Sequence, residues 1–263
     1  DIYYAVYQNI IAISLFNHEA HIFSHNLNKK HNLNEIEALL KNNSTSIYGF
    51  KRSGSKTSNL NDSDFIEYVK KAKAHCHRGD VFQLVLSRRF SQVFKGDEFN
   101  VYRSLRSINP SPYLFFFDYG DYKIFGSSPE AQLIIKDGSA EIHPIAGTFR
   151  RTGNDEKDSA LATKLKKDPK ENSEHVMLID LARNDLSRNG SQVIVEKNRE
   201  IQLFSHVIHL VSKVKCKMKA KAKNFQVVAD TFPAGTLSGA PKHKALQLID
   251  KYCLLYTSPS PRD

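Results

Sequence analysis

Two neighbouring stretches, YLFFFDYGDYKIFGS at residues 113–127 and EAQLIIKDGSAEIHPIAG at 130–147, are apolar runs that fold back on short polar turns at Asp118–Asp121 and Asp137-Gly138. An Asp-Gly pair supplies the left-handed backbone that tight hairpins require. Strands joined by such short turns can pair only antiparallel, because a parallel pair needs a crossover of a dozen or more residues. Residues 1–27 repeat the pattern. Ile11, Ile13 and Leu15 alternate with polar positions, Asn17-His18 marks a reversal, and Ile22 and Phe23 follow, which predicts another hairpin.

Helical patterns lie between these hairpins. Residues 34–41 read as a short helix and 42–61 as a polar loop. Asp62-Ser63-Asp64 can cap a helix through FIEYVKKAKAHCHR, with Phe65, Val69 and Ala72 on one face and Gly79 as the stop. VFQLVLSRRF (81–90) is a strand by composition, and NVYRSLRSI (100–108) is a helix ended by Asn109-Pro110. Helices are predicted at 156–165 and, after Asp168-Pro169, at 171–187, ending at Asn189-Gly190. Strands at 191–197 and 206–219 precede a last helix at about 240–252. The expected class is α+β, a large mainly antiparallel sheet or sandwich core flanked by helices.

Composition narrows the function. No apolar run approaches the ~20 residues of a membrane helix, and no secretory signal opens the chain, so a membrane partner is not expected. Cys76, Cys216 and Cys253 form no CxxC, which argues against a disulfide framework and fits a reducing cytoplasm. The net charge of +10 allows a polyanion partner. The lysines, however, are dispersed, and the run KVKCKMKAKAK (213–223) alternates with Val214, Cys216, Met218 and Ala220 like a strand with one solvated face. No nucleic-acid partner is therefore expected, and a basic nucleic-acid-binding protein is the less favoured reading. His75 and His77 sit too close on one helix to converge on a metal. Neither glycine-rich nucleotide signature is present.

Three short stretches carry chemistry. Glu171 and Glu174 are three apart on a helix and share a face, so they can hold a hard cation such as Mg²⁺ through oxygen, or form an acidic helix start that the dipole favours. Pro144-Ile145-Ala146-Gly147-Thr148 offers backbone access at Gly147 and a hydroxyl at Thr148, or is an ordinary strand-end turn. Pro233–Lys242 (PAGTLSGAPK) enters a helix whose free N–H groups could meet an anion, or is a capped helix start.

In order, GDVFQLVLSRRF, NPSPYLFF, FGSSPE, HPIAGTFRRTG, EHVMLIDLARNDL, SHVIHLVSKV and FPAGTLSGAPK resemble the chorismate-utilising enzymes, and most closely anthranilate synthase component I, across residues 79–252. The resemblance implies that fold, truncated at both ends. It also implies a partial N-terminal region at 1–61 and an incomplete chorismate-binding catalytic domain at 62–252. Two positions separate the sister activities. Isochorismate and salicylate synthases carry a water-activating lysine where Gln83 stands, and an amide cannot act as a base. Typical aminodeoxychorismate synthases carry a nucleophilic lysine where Ala146 stands. Both positions fit ammonia as the nucleophile; an aminodeoxychorismate synthase lacking its lysine is the alternative.

The resemblance further implies that Glu174 ligates Mg²⁺, with Glu171 a second acidic residue near it. Gly147 and Thr148 would contact the chorismate carboxylate, and Gln83, Ala146, Gly235 and Thr236 would line the substrate site. Glu130 would protonate the departing C4 hydroxyl, and His209 would assist the loss of pyruvate, although its place in an alternating strand equally suits a hydrogen-bonded core histidine. Pro112, Tyr113 and Leu114 match part of the family's tryptophan-inhibition segment. A glutamine amidotransferase partner would supply the ammonia.

The chain opens without methionine, and residues 253–263, CLLYTSPSPRD, resemble a translated sequencing adaptor, so they are expected to be an artefactual, disordered tail. A Tyr-Gly-Gly turn, a substrate-clamping Arg, a glycine-rich loop and a second Mg²⁺ glutamate of the family do not follow. The expectation is that this chain, given chorismate, Mg²⁺ and ammonium salt, produces no anthranilate fluorescence; clear turnover would refute it.

Overall fold

A computed structural model describes residues 5–25, 33–42 and 48–252 of the chain, so the expected tail at 253–263 lies outside the described residues. The chain divides into two compact units, residues 1–48 and 49–263. In the first, β1 (Asn9–Ser14) pairs antiparallel with β2 (Glu19–Ser24), and α1 (Leu33–Lys41) follows. His18 takes positive φ in the β1–β2 reversal.

The second unit begins with β3 (Phe50–Arg52), β4 (Thr57–Ser58), α2 (Asp62–His77), β5 (Gln83–Leu84), β6 (Phe90–Ser91) and β7 (Phe94–Gly96). Two expectations change here. The segment read as one polar loop contains β3 and β4, which pair with β7 and β6. The strand read over 81–90 pairs only at 83–84 and 90–91, because its backbone partners are two different segments. Phe82 N and Val85 N donate to Ala240 and Ser238 carbonyls, whereas Arg89 N donates to the Asn59 side chain. Asn61, not Asp62, caps α2, accepting from Asp64 N.

There follow α3 (Phe99–Ile108), the hairpin β8 (Tyr113–Asp118)–β9 (Lys123–Ser128), the hairpin β10 (Ile134–Lys136)–β11 (Ser139–Ile142), β12 (Ile145–Arg150), α4 (Asp155–Lys167), α5 (Pro169–Asn189), β13 (Gly190–Leu203) and β14 (Val207–Met218). Phe99 and Tyr102 of α3 pack on Phe116 of β8. Asp137 and Gly138 both take positive φ, as the Asp-Gly turn requires. The chain then forms α6 (Asn224–Thr231), which the sequence reading did not identify, α7 (Gly235–Ser238), β15 (Gly239–Ala240) and α8 (Lys242–Tyr252). Every strand pairing among the described residues is antiparallel.

β14 is the axis of the main sheet. It pairs with β13 along its length, and with β12 and then β11 on the other side. Its alternate residues divide the two faces. Ile208 and Leu210 pack with Leu165 of α4. Val214 and Cys216 pack with Ile179, Ala182 and Leu186 of α5. On the opposite face Lys213 and Lys215 pair with Glu141 and Glu196, so the lysine-rich run is an amphipathic strand as far as Met218, while residues 219–223 leave the sheet in a turn. Leu210 is fully buried. Leu210→Ala is expected to lower stability by about 2–5 kcal/mol in urea unfolding, through lost transfer energy and the cavity left behind.

Candidate active site

The site forms where the first turns of α5 cross a defect in β12. Asp168 caps α5 by accepting from Lys170 N and Glu171 N, and Pro169 fills the first helical position. This start places Glu171 and Glu174 above β12. There Ala146 pairs with Leu210 and Thr148 with His209, so Gly147 is an extra residue that bulges from the ladder with φ +73°. A Cβ on Gly147 would lie 3.0 Å from Leu165 Cδ1 and 3.4 Å from Glu171 Oε2. Glycine is needed for both the backbone conformation and the space.

Gln83, Ile145, Ala146, Gly147, Thr148, Glu171, Glu174, Leu178 and Thr236 line a cavity of about 300 Å³. Seven of the residues singled out in the sequence thus share one hollow. Gln83 reaches it because β5 pairs with β15, Gln83 opposite Ala240. Gly239 beside it has φ +134°, and a Cβ there would fall 2.2 Å from Gln83 O. Gln83 Nε2 donates to Glu174 Oε1 at 3.3 Å and orients that carboxylate. His175, one residue on, turns the other way. It is fully buried with Nε2 2.7 Å from Ser212 Oγ, and burial, then the Arg199 charge, pushes its pKa down to about 4.

Glu130 lies in an adjoining cavity of about 30 Å³ with Gly235, and Leu178 and Thr236 line both hollows. Burial pushes the Glu130 carboxyl up to about 7, against a hydrogen bond from Thr236 that favours its charged form. His209 sits behind Thr148, outside the residues that line either hollow. It is 9% exposed, with Nδ1 3.1 Å from both Thr148 Oγ1 and Gly147 O. A carbonyl only accepts, so neutral His209 carries its hydrogen on Nδ1 and leaves Nε2 as the lone pair. Pro112, Tyr113 and Leu114 lie at the start of the β8–β9 hairpin, with Tyr113 opposite Ser128, and line none of these hollows.

Sequence reasoning missed a buried ion pair. Lys242 Nζ of α8 lies 2.6 Å from Asp185 Oδ2 of α5 and also donates to Thr231 O. Both residues stood in the quoted motifs, but no local spacing links positions so far apart in the chain.

An antiparallel sheet crossed by α5, with paired glutamates over a glycine bulge, defines the class. The chain belongs to the family described as chorismate binding enzyme, whose match spans residues 1–252. Among curated relatives, anthranilate synthase component 1 of Aquifex aeolicus is 45% identical over 196 residues, 74% of this chain and 40% of that protein. The chain therefore spans less than half the length of this relative. The crystal structure of anthranilate synthase component I from Streptococcus pneumoniae matches with TM-score 0.80 and 35% identity, covering 94% of this chain and 57% of that one. The menaquinone-specific isochorismate synthase of Escherichia coli shares the fold, with TM-score 0.73 and 19% identity over 83% of this chain and 51% of its own.

Folding raises the Glu130 pKa from 4.5 to about 7. The folded chain then holds a proton that the unfolded chain has released, so this residue subtracts stability as pH rises across that interval. Glu130→Gln should remove the effect. Urea midpoints should show the variant gaining on the parent above pH 7 and not below pH 4.5; a pH-independent difference would contradict the assignment.

Proposed function

We infer that the chain is part of an anthranilate synthase component I, which converts chorismate and ammonia to anthranilate and pyruvate in the cytoplasm. The observation that carries this reading is that Gln83 and Ala146 stand on the same cavity as Thr148 and Glu174. Neither can play the lysine role of the sister activities, because an amide does not take a proton and a methyl is not a nucleophile. Ammonia, delivered by a glutamine amidotransferase partner, remains as the attacking group.

The Thr148 hydroxyl and the backbone at Gly147 meet the ring carboxylate of chorismate. Glu130, pushed up to about 7 by burial and so still partly protonated at neutral pH, gives its proton to the C4 hydroxyl, which departs as water while ammonia adds at C2. Loss of pyruvate then aromatises the ring, with His209 acting from beside Thr148. The paired carboxylates of Glu171 and Glu174 on one cavity suit a hard divalent cation. Glu174, with Glu171 near it, would hold magnesium there, and the ion would neutralise the substrate carboxylate. Pro112, Tyr113 and Leu114 are proposed as part of a tryptophan-responsive segment.

A chimera tests the reading: residues 79–252 replace the matching segment of the Aquifex aeolicus relative, and products from chorismate, ammonium and Mg²⁺ are separated and identified. Anthranilate is expected. Glu130→Gln in the chimera should lower kcat about 10²–10⁴-fold, the range for loss of a general acid. Aminodeoxychorismate or isochorismate as the main product would sink the assignment.

A further inference from the structure

The small hollow beside Glu130 contains more polar groups than the reaction uses. Its walls include Glu130, Gln132, Asp185, Thr231 and Thr236, closed by apolar side chains such as Leu178 and Leu181. Two of these walls have buried polar atoms without partners, Gln132 Nε2 and Asp185 Oδ1. Asp185 is 4% exposed, and its other oxygen is taken by Lys242 at 2.6 Å. Leaving a buried amide N–H and a buried carboxylate oxygen unmatched would cost about 1–3 kcal/mol each.

Size and chemistry identify the occupant. A hollow of about 30 Å³ admits a water molecule, which needs about 10–15 Å³, but not an organic ligand. Ammonia in solution near neutral pH is almost entirely ammonium, which offers only hydrogens and gives the Gln132 N–H nothing to bond. Water both accepts and donates. We propose that one internal water occupies this hollow, accepting from Gln132 Nε2 and donating to Asp185 Oδ1, with its second hydrogen directed at the Glu130 carboxyl. Gln132 and Asp185 are then positioning residues for Glu130, acting through the water and not touching substrate.

This arrangement links the acid to the outside. Asp185 also lines a larger groove of about 900 Å³ along α5, together with Val176, Met177, Asp180 and Lys242. A water between Glu130 and Asp185 joins that groove to the site by one relay step. After Glu130 has lost its proton, the water gives it one hydrogen and takes one from Asp185 once Asp185 has itself been protonated from the groove, so the water ends unchanged. That consequence rests on the reading of Glu130 as the acid; the water itself does not.

A high-resolution crystal structure of the chain is expected to show one well-ordered water within hydrogen-bond distance of both Gln132 Nε2 and Asp185 Oδ1. Gln132→Leu removes the donor, fills the space with methyl groups and leaves the Asp185–Lys242 pair intact. In that variant the water should be gone, and the Glu130 carboxyl, followed by ¹³C NMR, should titrate at higher pH, because its carboxylate loses a hydrogen bond. Asp185 is the other titratable group lining this hollow, with Lys242 and Arg188 acting on it, and none of the three is altered. A dry hollow in the parent chain, or a water that persists unchanged in Gln132→Leu, overturns the proposal. Should Gln132→Leu fail to fold, the parent structure alone decides. A chimera that makes no anthranilate while the water is present would reject the assigned activity and leave the water site standing.

Discussion

The seating of α4 and α5 across one face of β14 is the contact on which the other features depend. Ile208, Leu210, Val214 and Cys216 point the same way along that strand and bury Leu165, Ile179, Ala182 and Leu186. Full burial of side chains of this size contributes roughly 1.5–3 kcal/mol each. Ser212, between Leu210 and Val214 on that face, bonds the buried His175 and fixes the rotation of α5 about its axis. With that rotation fixed, Glu171 and Glu174 lie over the Gly147 bulge rather than in solvent.

The bulge turns a sheet into a site. An uninterrupted β12 would keep its full ladder with β14 and leave less room beneath α5. The extra residue at Gly147 breaks the register between Ala146 and Thr148, and glycine gives up the space that Leu165 and Glu171 take. The two acidic regions then differ because their surroundings differ. Burial pushes the Asp185 carboxyl up, against the hydrogen bond and charge of Lys242. Glu130 is partly buried and only the neutral Thr236 hydroxyl opposes the effect, so its carboxyl is pushed up to about 7.

Much of this was legible in the residues. The antiparallel class followed from hairpins with short turns, and Asp137-Gly138 adopts the backbone those residues favour. The i, i+3 spacing of Glu171 and Glu174 announced a shared face, and both line one cavity. The alternation of KVKCKMKAKAK announced a half-solvated strand, and Lys213 and Lys215 do meet Glu141 and Glu196 on the face opposite the core. VFQLVLSRRF misled because its composition suits a strand, whereas its backbone partners come from Ser238–Ala240 at one end and Asn59 at the other. The polar stretch before α2 misled in the opposite sense, since its few apolar residues conceal pairing with β6 and β7.

The sequence alone determined the main hairpins and the long helices, the helix start at Asp168-Pro169 and the chemical exclusions at Gln83 and Ala146, because these depend on local backbone preference or on what a functional group can do. Tertiary structure alone decided that Gln83 grips Glu174, that His209 stands behind Thr148, and that Asp185 meets Lys242. Those contacts join residues far apart in the chain, and only burial of the faces that carry them, with the loss of water from polar groups between, makes one pairing more favourable than its competitors.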